Sequence, residues 1–234
     1  MENERRQFLL ATAALGITGL TPGAAPARDD KKDKPEEEVG ALEDLMREHG
    51  VLNRLLLIFE EGLRRLRARE EVDPEVFHRP ATLVRKFVED YHEKLEENFI
   101  FPEFEKRKKL MDLVKVLRQQ HQAGRAVTDV ILRNATGDRF GKDENRQELA
   151  RACRAFIRMY RPHEAREDTV LFPALHKVVS AKQLKDLGEQ FEKEEDRLFG
   201  DEGFEKTVDQ VARVEKQLGI YDLEKFTPKV PRRE

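Results

Sequence analysis

Four stretches of this 234-residue chain carry apolar residues at helical spacing, and each breaks its own apolar stripe with one histidine. In the first, Leu45, Leu52, Leu56, Phe59, Leu63 and Leu66 step by threes and fours around His49. That spacing places them on one face of a long helix. A second helix is predicted from Asp73-Pro74-Glu75, with aspartate as N-cap and proline at the first helical position. It carries Val84, Val88, Leu95 and Phe99 around His92. The third, predicted over 108–134, shows Leu110, Val114, Leu117, Thr128 and Ile131 around His121. A glycine-containing loop, 135–141, leads to the fourth, where Leu149, Ala152, Phe156, Met159 and Val170 flank His163. Four amphipathic helices with short connections make an all-α, antiparallel up-down four-helix bundle. Charged residues are 39% of the chain and hydrophobic residues 38%, as expected for long solvated faces around a narrow core.

Two of the four helices add a carboxylate one turn after the histidine: Glu96 follows His92 and Glu167 follows His163. An i to i+4 spacing puts both groups on the same face, so both can approach one point in the bundle core. The two segments are copies. His92-Glu93-x-x-Glu96-Glu97 leads to Phe101-Pro102, and His163-Glu164-x-x-Glu167-Asp168 leads to Phe172-Pro173, every matching pair 71 residues apart. His49 and His121 are 72 apart. The bundle therefore reads as a duplicated helix hairpin, each half giving one lone histidine and one His-x-x-x-Glu.

A single histidine on an apolar stripe is ordinarily a hydrogen-bonded core residue. Four of them with two carboxylates directed into one core are another matter, because two unpaired carboxylates are costly to bury, whereas imidazoles and carboxylates around a metal satisfy every group. The six candidate ligands, His49, His92, Glu96, His121, His163 and Glu167, exceed what one tetrahedral zinc takes. They suit two iron-like ions bridged by carboxylates and capped by imidazoles. The remaining histidines, His78 and His176, lie too far along their helices to join this set. Cys153 reads as a small core residue, and Tyr160 shares the face of His163 as a packed tyrosine.

At these residues the sequence resembles the hemerythrin-like, or HHE cation-binding, family, over about 41–176. The resemblance implies a four-helix bundle around a non-haem di-iron centre, carboxylate- or oxo-bridged, with the six residues above as its ligands. The oxygen carriers of that family have a fifth histidine four residues after the third-helix histidine; here that place is Arg125. The departure implies more coordination positions for water, oxygen or substrate, and a ligand count like that of the family's iron-centre repair proteins. The expected function is binding of O2, or of nitric oxide or peroxide, at an open iron position. The alternatives are an enzyme of oxidative or nitrosative defence or an iron donor, and then a metal-storage or structural bundle. Ferritin-like oxidases are disfavoured, since their helices use Glu-x-x-His.

Residues 1–27 differ from the rest. Arg5 and Arg6, an apolar run from Phe8 to Leu20 and Ala25-Pro26-Ala27 form a secretory signal with an A-x-A cleavage site. The paired arginines resemble the twin-arginine signal, which exports folded proteins to the bacterial periplasm. A charged linker follows over 28–40, the bundle is predicted over 41–179, and a C-terminal extension over 180–234. Ser180-x-x-Gln183 predicts a capping box there, Gly200 and Gly219 predict helix stops, and Phe204, Val208, Val211 and Leu218 form an apolar face. The segment 220–223 is expected to pack back on the bundle. With 44 Lys plus Arg against 47 Asp plus Glu, the net charge is −3, so no nucleic-acid partner is expected. One cysteine excludes an intrachain disulfide, and beyond the leader no run approaches the roughly 20 apolar residues needed to span a bilayer.

Overall fold

Helix α1 (Ala41–Arg67) begins with Glu43 and Asp44 and ends with Arg64, Arg65 and Arg67, charges that oppose its dipole at both ends. The computed structural model describes residues 39–230; the leader and nearly all of the charged linker, on which the export reading falls, lie outside the described residues. Helix α2 runs unbroken over 75–107, and α3 is Met111–Asn134. The short α4 (Gly137–Phe140) sits inside the predicted loop, and α5 runs unbroken over 143–175. In the C-terminal extension, α6 is Ala181–Phe199 and α7 is Gly203–Leu218.

The first four long helices form the predicted bundle: α1 packs on α2 and α5, and α3 packs on the same two. Leu45, Leu52, Leu56 and Phe59 of the first stripe are at most 2% exposed, and Phe59 meets Phe156 edge to face at 5.9 Å. Phe140 of α4 anchors the loop on Phe77, with ring centroids 6.1 Å apart. Helices α6 and α7 pack on α1 and α2. Phe199 lies 5.8 Å from Phe87 and 5.4 Å from Tyr91, and Arg54 grips Glu215 with two bonds of 3.0 and 2.6 Å. Among the described residues no helix is long and apolar enough to cross a membrane.

The local punctuation holds where it is short-range. Ser180 and Gln183 form both halves of the capping box, and Gly219 closes α7 at φ +70°. Two expectations are corrected. Leu110 is no part of the third stripe: Lys108 and Leu110 both adopt left-handed backbone, so α3 starts at Met111 and Leu110 turns outward. In the tail, Ile220 packs against the core, but Tyr221 and Leu223 are exposed. There Asp222 accepts from the backbone N–H of Glu224 and starts a one-turn 3₁₀ helix (Leu223–Phe226), which turns the chain along the surface.

Neither α2 nor α5 is a regular helix. Both widen into π-helical turns, at Val84–His92 and Glu96–Ile100 in α2 and at Glu167–Leu171 in α5. The last two segments are 71 residues apart and each starts at the carboxylate of His-x-x-x-Glu. A proline stands two residues after each of these two segments. Pro102 and Pro173 lack an N–H and collide with the carbonyl four residues back, that of Asn98 or Thr169. Each of those carbonyls lies within the widened turn. π-Turns inside α-helices recur at functional sites because they re-aim side chains.

Candidate metal centre

The structure brings all six sequence-predicted residues to one buried point. None is more than 4% exposed, and Glu96, Glu167 and His121 are fully buried. The imidazoles form two pairs across helices. The Nε2 atoms of His49 and His92 are 3.1 Å apart, and those of His121 and His163 are 3.3 Å apart. Each carboxylate touches one imidazole of each pair. Glu167 Oε2 is 3.4 Å from His49 Nε2 and 3.2 Å from His163 Nε2. Glu96 Oε2 is 3.8 Å from His92 Nε2 and 3.4 Å from His121 Nε2.

Four residues that sequence reasoning passed over fix the rings. His49 Nδ1 donates to Asp168 at 2.7 Å and His92 Nδ1 to Glu48 at 2.6 Å. His121 Nδ1 donates to Glu97 at 3.1 Å and His163 Nδ1 to Gln120 at 2.9 Å. An acceptor on Nδ1 keeps the proton there and leaves the Nε2 lone pair facing the centre. The signal was the duplication itself: Glu97 and Asp168 directly follow the two carboxylates, while Glu48 and Gln120 directly precede the two lone histidines. The repeated phenylalanines complete the pattern. Phe172 stacks on His49 at 5.6 Å and Phe101 on His121 at 5.5 Å, shielding those rings from water.

The donor set fits a cation. Both oxygens of Glu96 and both of Glu167 are buried without a hydrogen-bond partner, and among the described residues no lysine or arginine pairs with either. Without a cation the charges rearrange. Burial and the Glu167 carboxylate hold Glu96 well above the usual carboxylate range. Burial would raise Glu167 too, but His163 and His49 outweigh it and hold that carboxyl low. At His49, burial is overcome by the bond to Asp168 and the charge of nearby Glu167, which lift it to about 10. Burial and the neighbouring His49 charge lower His92, and burial lowers His121. A proton on His49 thus stands where a metal charge would.

These shifts give the metal-free protein a pH dependence of definite sign. Burial also raises Glu48 and Glu93, and lifts Glu164 to about 7. Between about pH 5 and about pH 8 these carboxyls and His49 make the folded chain bind more protons than the unfolded one, and the lowered His92 and His121 oppose this only below the ordinary histidine value. Stability should therefore fall as pH rises, by on the order of a few kcal/mol over that window. Thermal unfolding of chelator-treated protein at the two ends checks it; a higher melting temperature at the alkaline end would contradict the assignment.

Arg125, in the place of a fifth histidine, pairs with carboxylates beside the centre. Its guanidinium lies 2.7 Å from Glu93 and 2.8 Å from Glu97, filling with its own charge a third group of metal-type donors, Glu93, Glu97 and His121. Tyr160 is more than packing. Its ring meets His163 edge to face at 5.4 Å and its hydroxyl donates to Glu93 at 2.6 Å. A β-carbon at Gly124 would stand 2.0 Å from that hydroxyl, so this helix-interior glycine makes the room for it. His78 and His176 stand apart at the surface and Cys153 is buried, as read from the sequence.

Comparison with known proteins agrees with this geometry. The hemerythrin HHE cation-binding domain matches residues 40–175, with a second, overlapping match over 112–228. Uncharacterized proteins of Mycobacterium tuberculosis and Mycobacterium bovis are each 47% identical over 231 residues, covering 96% of this chain and 91% of the relative. No solved structure matches the chain. With the four-helix bundle, a buried His and Glu cluster able to hold metal and a family match across most of the chain, the protein belongs to the hemerythrin HHE cation-binding domain family.

Proposed function

We propose that the protein is a non-haem di-iron protein that binds O2, or a related small oxidant such as nitric oxide or peroxide, at an open iron position. The observation that carries this reading is that each carboxylate contacts one imidazole of each pair. Such an arrangement would hold two ions, with His49 and His92 on one side, His121 and His163 on the other, and Glu96 and Glu167 shared between the two pairs. Bound iron supplies one-electron redox change and a position for a small ligand. The chain's own residues do the rest: Asp168, Glu48, Glu97 and Gln120 hold the rings, and Phe101 and Phe172 exclude water. With Arg125 committed to Glu93 and Glu97, the protein supplies no fifth imidazole, which favours exchangeable ligands over tight reversible carriage.

Anaerobic iron loading followed by oxygen exposure, read by metal analysis and visible absorption, tests the proposal. Two irons per chain and an oxygen-dependent absorption band are expected. His92→Ala or His163→Ala should remove most of the metal, at least about 100-fold in affinity, since even outer partners of metal ligands are worth 10 to 100-fold. One tightly held zinc that iron cannot replace in the cell would overturn it.

The leader supports a reading in which this centre is exported, already folded, to the bacterial periplasm. A histidine and carboxylate site follows the Irving–Williams order and prefers copper and zinc to iron, so loading in the cytoplasm lets iron availability decide. Arg5→Lys with Arg6→Lys should trap the protein in the cytoplasm. Normal iron-loaded protein in the periplasm of that variant would contradict the route.

A further inference from the structure

The internal duplication allows the two halves of the bundle to be compared position by position, and they differ on the outer face of α5. Leu83 and Phe87 of α2 are buried, Phe87 against the rings of Phe199 and Phe204 in α6 and α7. The residues 71 positions later are Arg154 and Arg158, both exposed. With Arg151 and Arg161 they form an all-basic row at i, i+3, i+7 and i+10 along one helix face. Like charges at that spacing repel, so neither helix stability nor the duplicated pattern accounts for them.

Arg154, Arg158 and Arg161 of this row form one wall of a cleft of about 430 Å³ between α5 and the end of α1, a volume within the range of small-molecule sites. Arg64 and Arg67 of α1 face Arg154, Arg158 and Arg161 of α5, with Glu60 the only acidic residue of the lining and Leu63 and Ile157 beside them. Two of the five guanidiniums are engaged: Arg161 with Glu60 at 2.7 Å, and Arg64 with Glu61 and Glu70. Among the described residues, Arg67, Arg154 and Arg158 carry no hydrogen bond or ion pair. Three unengaged guanidiniums from two helices converge there in a chain whose net charge is −3.

We infer that this cleft binds a small molecule bearing two or more phosphate groups. Guanidinium is planar, permanently charged and bidentate toward phosphate oxygens, and Leu63 and Ile157 offer apolar contact to any organic portion. A long polyanion is the poorer occupant, because the acidic chain as a whole repels it away from the cleft. The site uses none of the six centre residues, so it stands or falls independently of the iron reading.

Calorimetric titration of the full-length, metal-loaded protein with inorganic tripolyphosphate at about 0.15 M salt tests the inference, with adenosine triphosphate as a second arm and metal content measured before and after. One saturable site per chain is expected. Arg154→Ala with Arg158→Ala on one wall, and separately Arg67→Ala on the other, should each weaken binding by about tenfold or more, the loss typical of a charge-assisted bidentate contact. Melting temperature and metal content should be unchanged, as these side chains are exposed, and Lys115→Ala on α3 should leave binding intact. Tighter binding of adenosine triphosphate identifies an organic polyphosphate; equal binding identifies the inorganic group. Heat that persists in the arginine variants is metal chelation or general anion binding and overturns the site. Binding of a DNA duplex with tripolyphosphate ignored overturns it in favour of a nucleic-acid surface.

Discussion

Glu96→Leu should abolish metal binding and at the same time make the metal-free protein more stable. Glu96 is fully buried, both its oxygens lack a hydrogen-bond partner, and burial and the negative charge of Glu167 disfavour its ionised form. In the absence of a cation, the fold bears the cost of dehydrating that group and receives little in return. Replacing buried ionic groups with apolar side chains of similar volume is neutral or stabilising by about 1–4 kcal/mol, which for a chain of this size raises the melting temperature by several degrees. Glu167→Leu should behave differently. Glu167 balances the proton on His49 and lies 3.2 Å from His163, so its removal leaves a buried imidazolium without that partner and gives no such gain. Thermal unfolding of chelated wild-type protein and both variants, with metal analysis alongside, makes the comparison. If chelated Glu96→Leu melts well below wild type, the carboxylate has a structural role that the metal reading leaves out.

Gly124→Ala should destabilise the protein by about 2–4 kcal/mol, although alanine is the better helix former by about 1 kcal/mol. The new methyl would lie 2.0 Å from the Tyr160 hydroxyl and 2.8 Å from the ring carbon that bears it. Tyr160 must then withdraw, and buried Glu93 loses its 2.6 Å donor. Adding Tyr160→Phe to the variant removes the closest atom but leaves the ring carbon, so part of the loss should return. The two substitutions would therefore be non-additive, as expected for groups in contact. Denaturant unfolding of the two single variants and the double variant measures this; a neutral Gly124→Ala would show that Tyr160 has another place to go.

Much of the centre was legible in the sequence. Each lone histidine sat where its stripe required a hydrophobe, and the i+4 carboxylates needed only helix geometry to share a face with their histidines. The copied segments also contained Glu97, Asp168, Glu48 and Gln120, whose roles went unread because a hydrogen bond between helices leaves no periodic mark on either one. Pro102 and Pro173 were visible too, yet they read as the residues after a motif. They stand two residues after the widened turns that begin at Glu96 and Glu167.

The misreadings share a cause. Leu110 fitted its stripe by spacing, but the connection from α2 needs left-handed backbone at Lys108 and Leu110, and that places Leu110 outside the helix. Tyr221 and Leu223 looked like docking residues by hydrophobicity alone, and whether an apolar side chain finds a surface depends on where the preceding helix ends.

Sequence by itself determined which faces of the four helices are buried and which six side chains those faces carry inward, because period and spacing are properties of a single helix. Only the tertiary structure decided that His49 pairs with His92 and His121 with His163, that each carboxylate spans both pairs, and that Arg125 pairs with Glu93 and Glu97. Those outcomes depend on the axial and rotational register of helices far apart in the chain, and register is set by how side chains of several helices interlock at once.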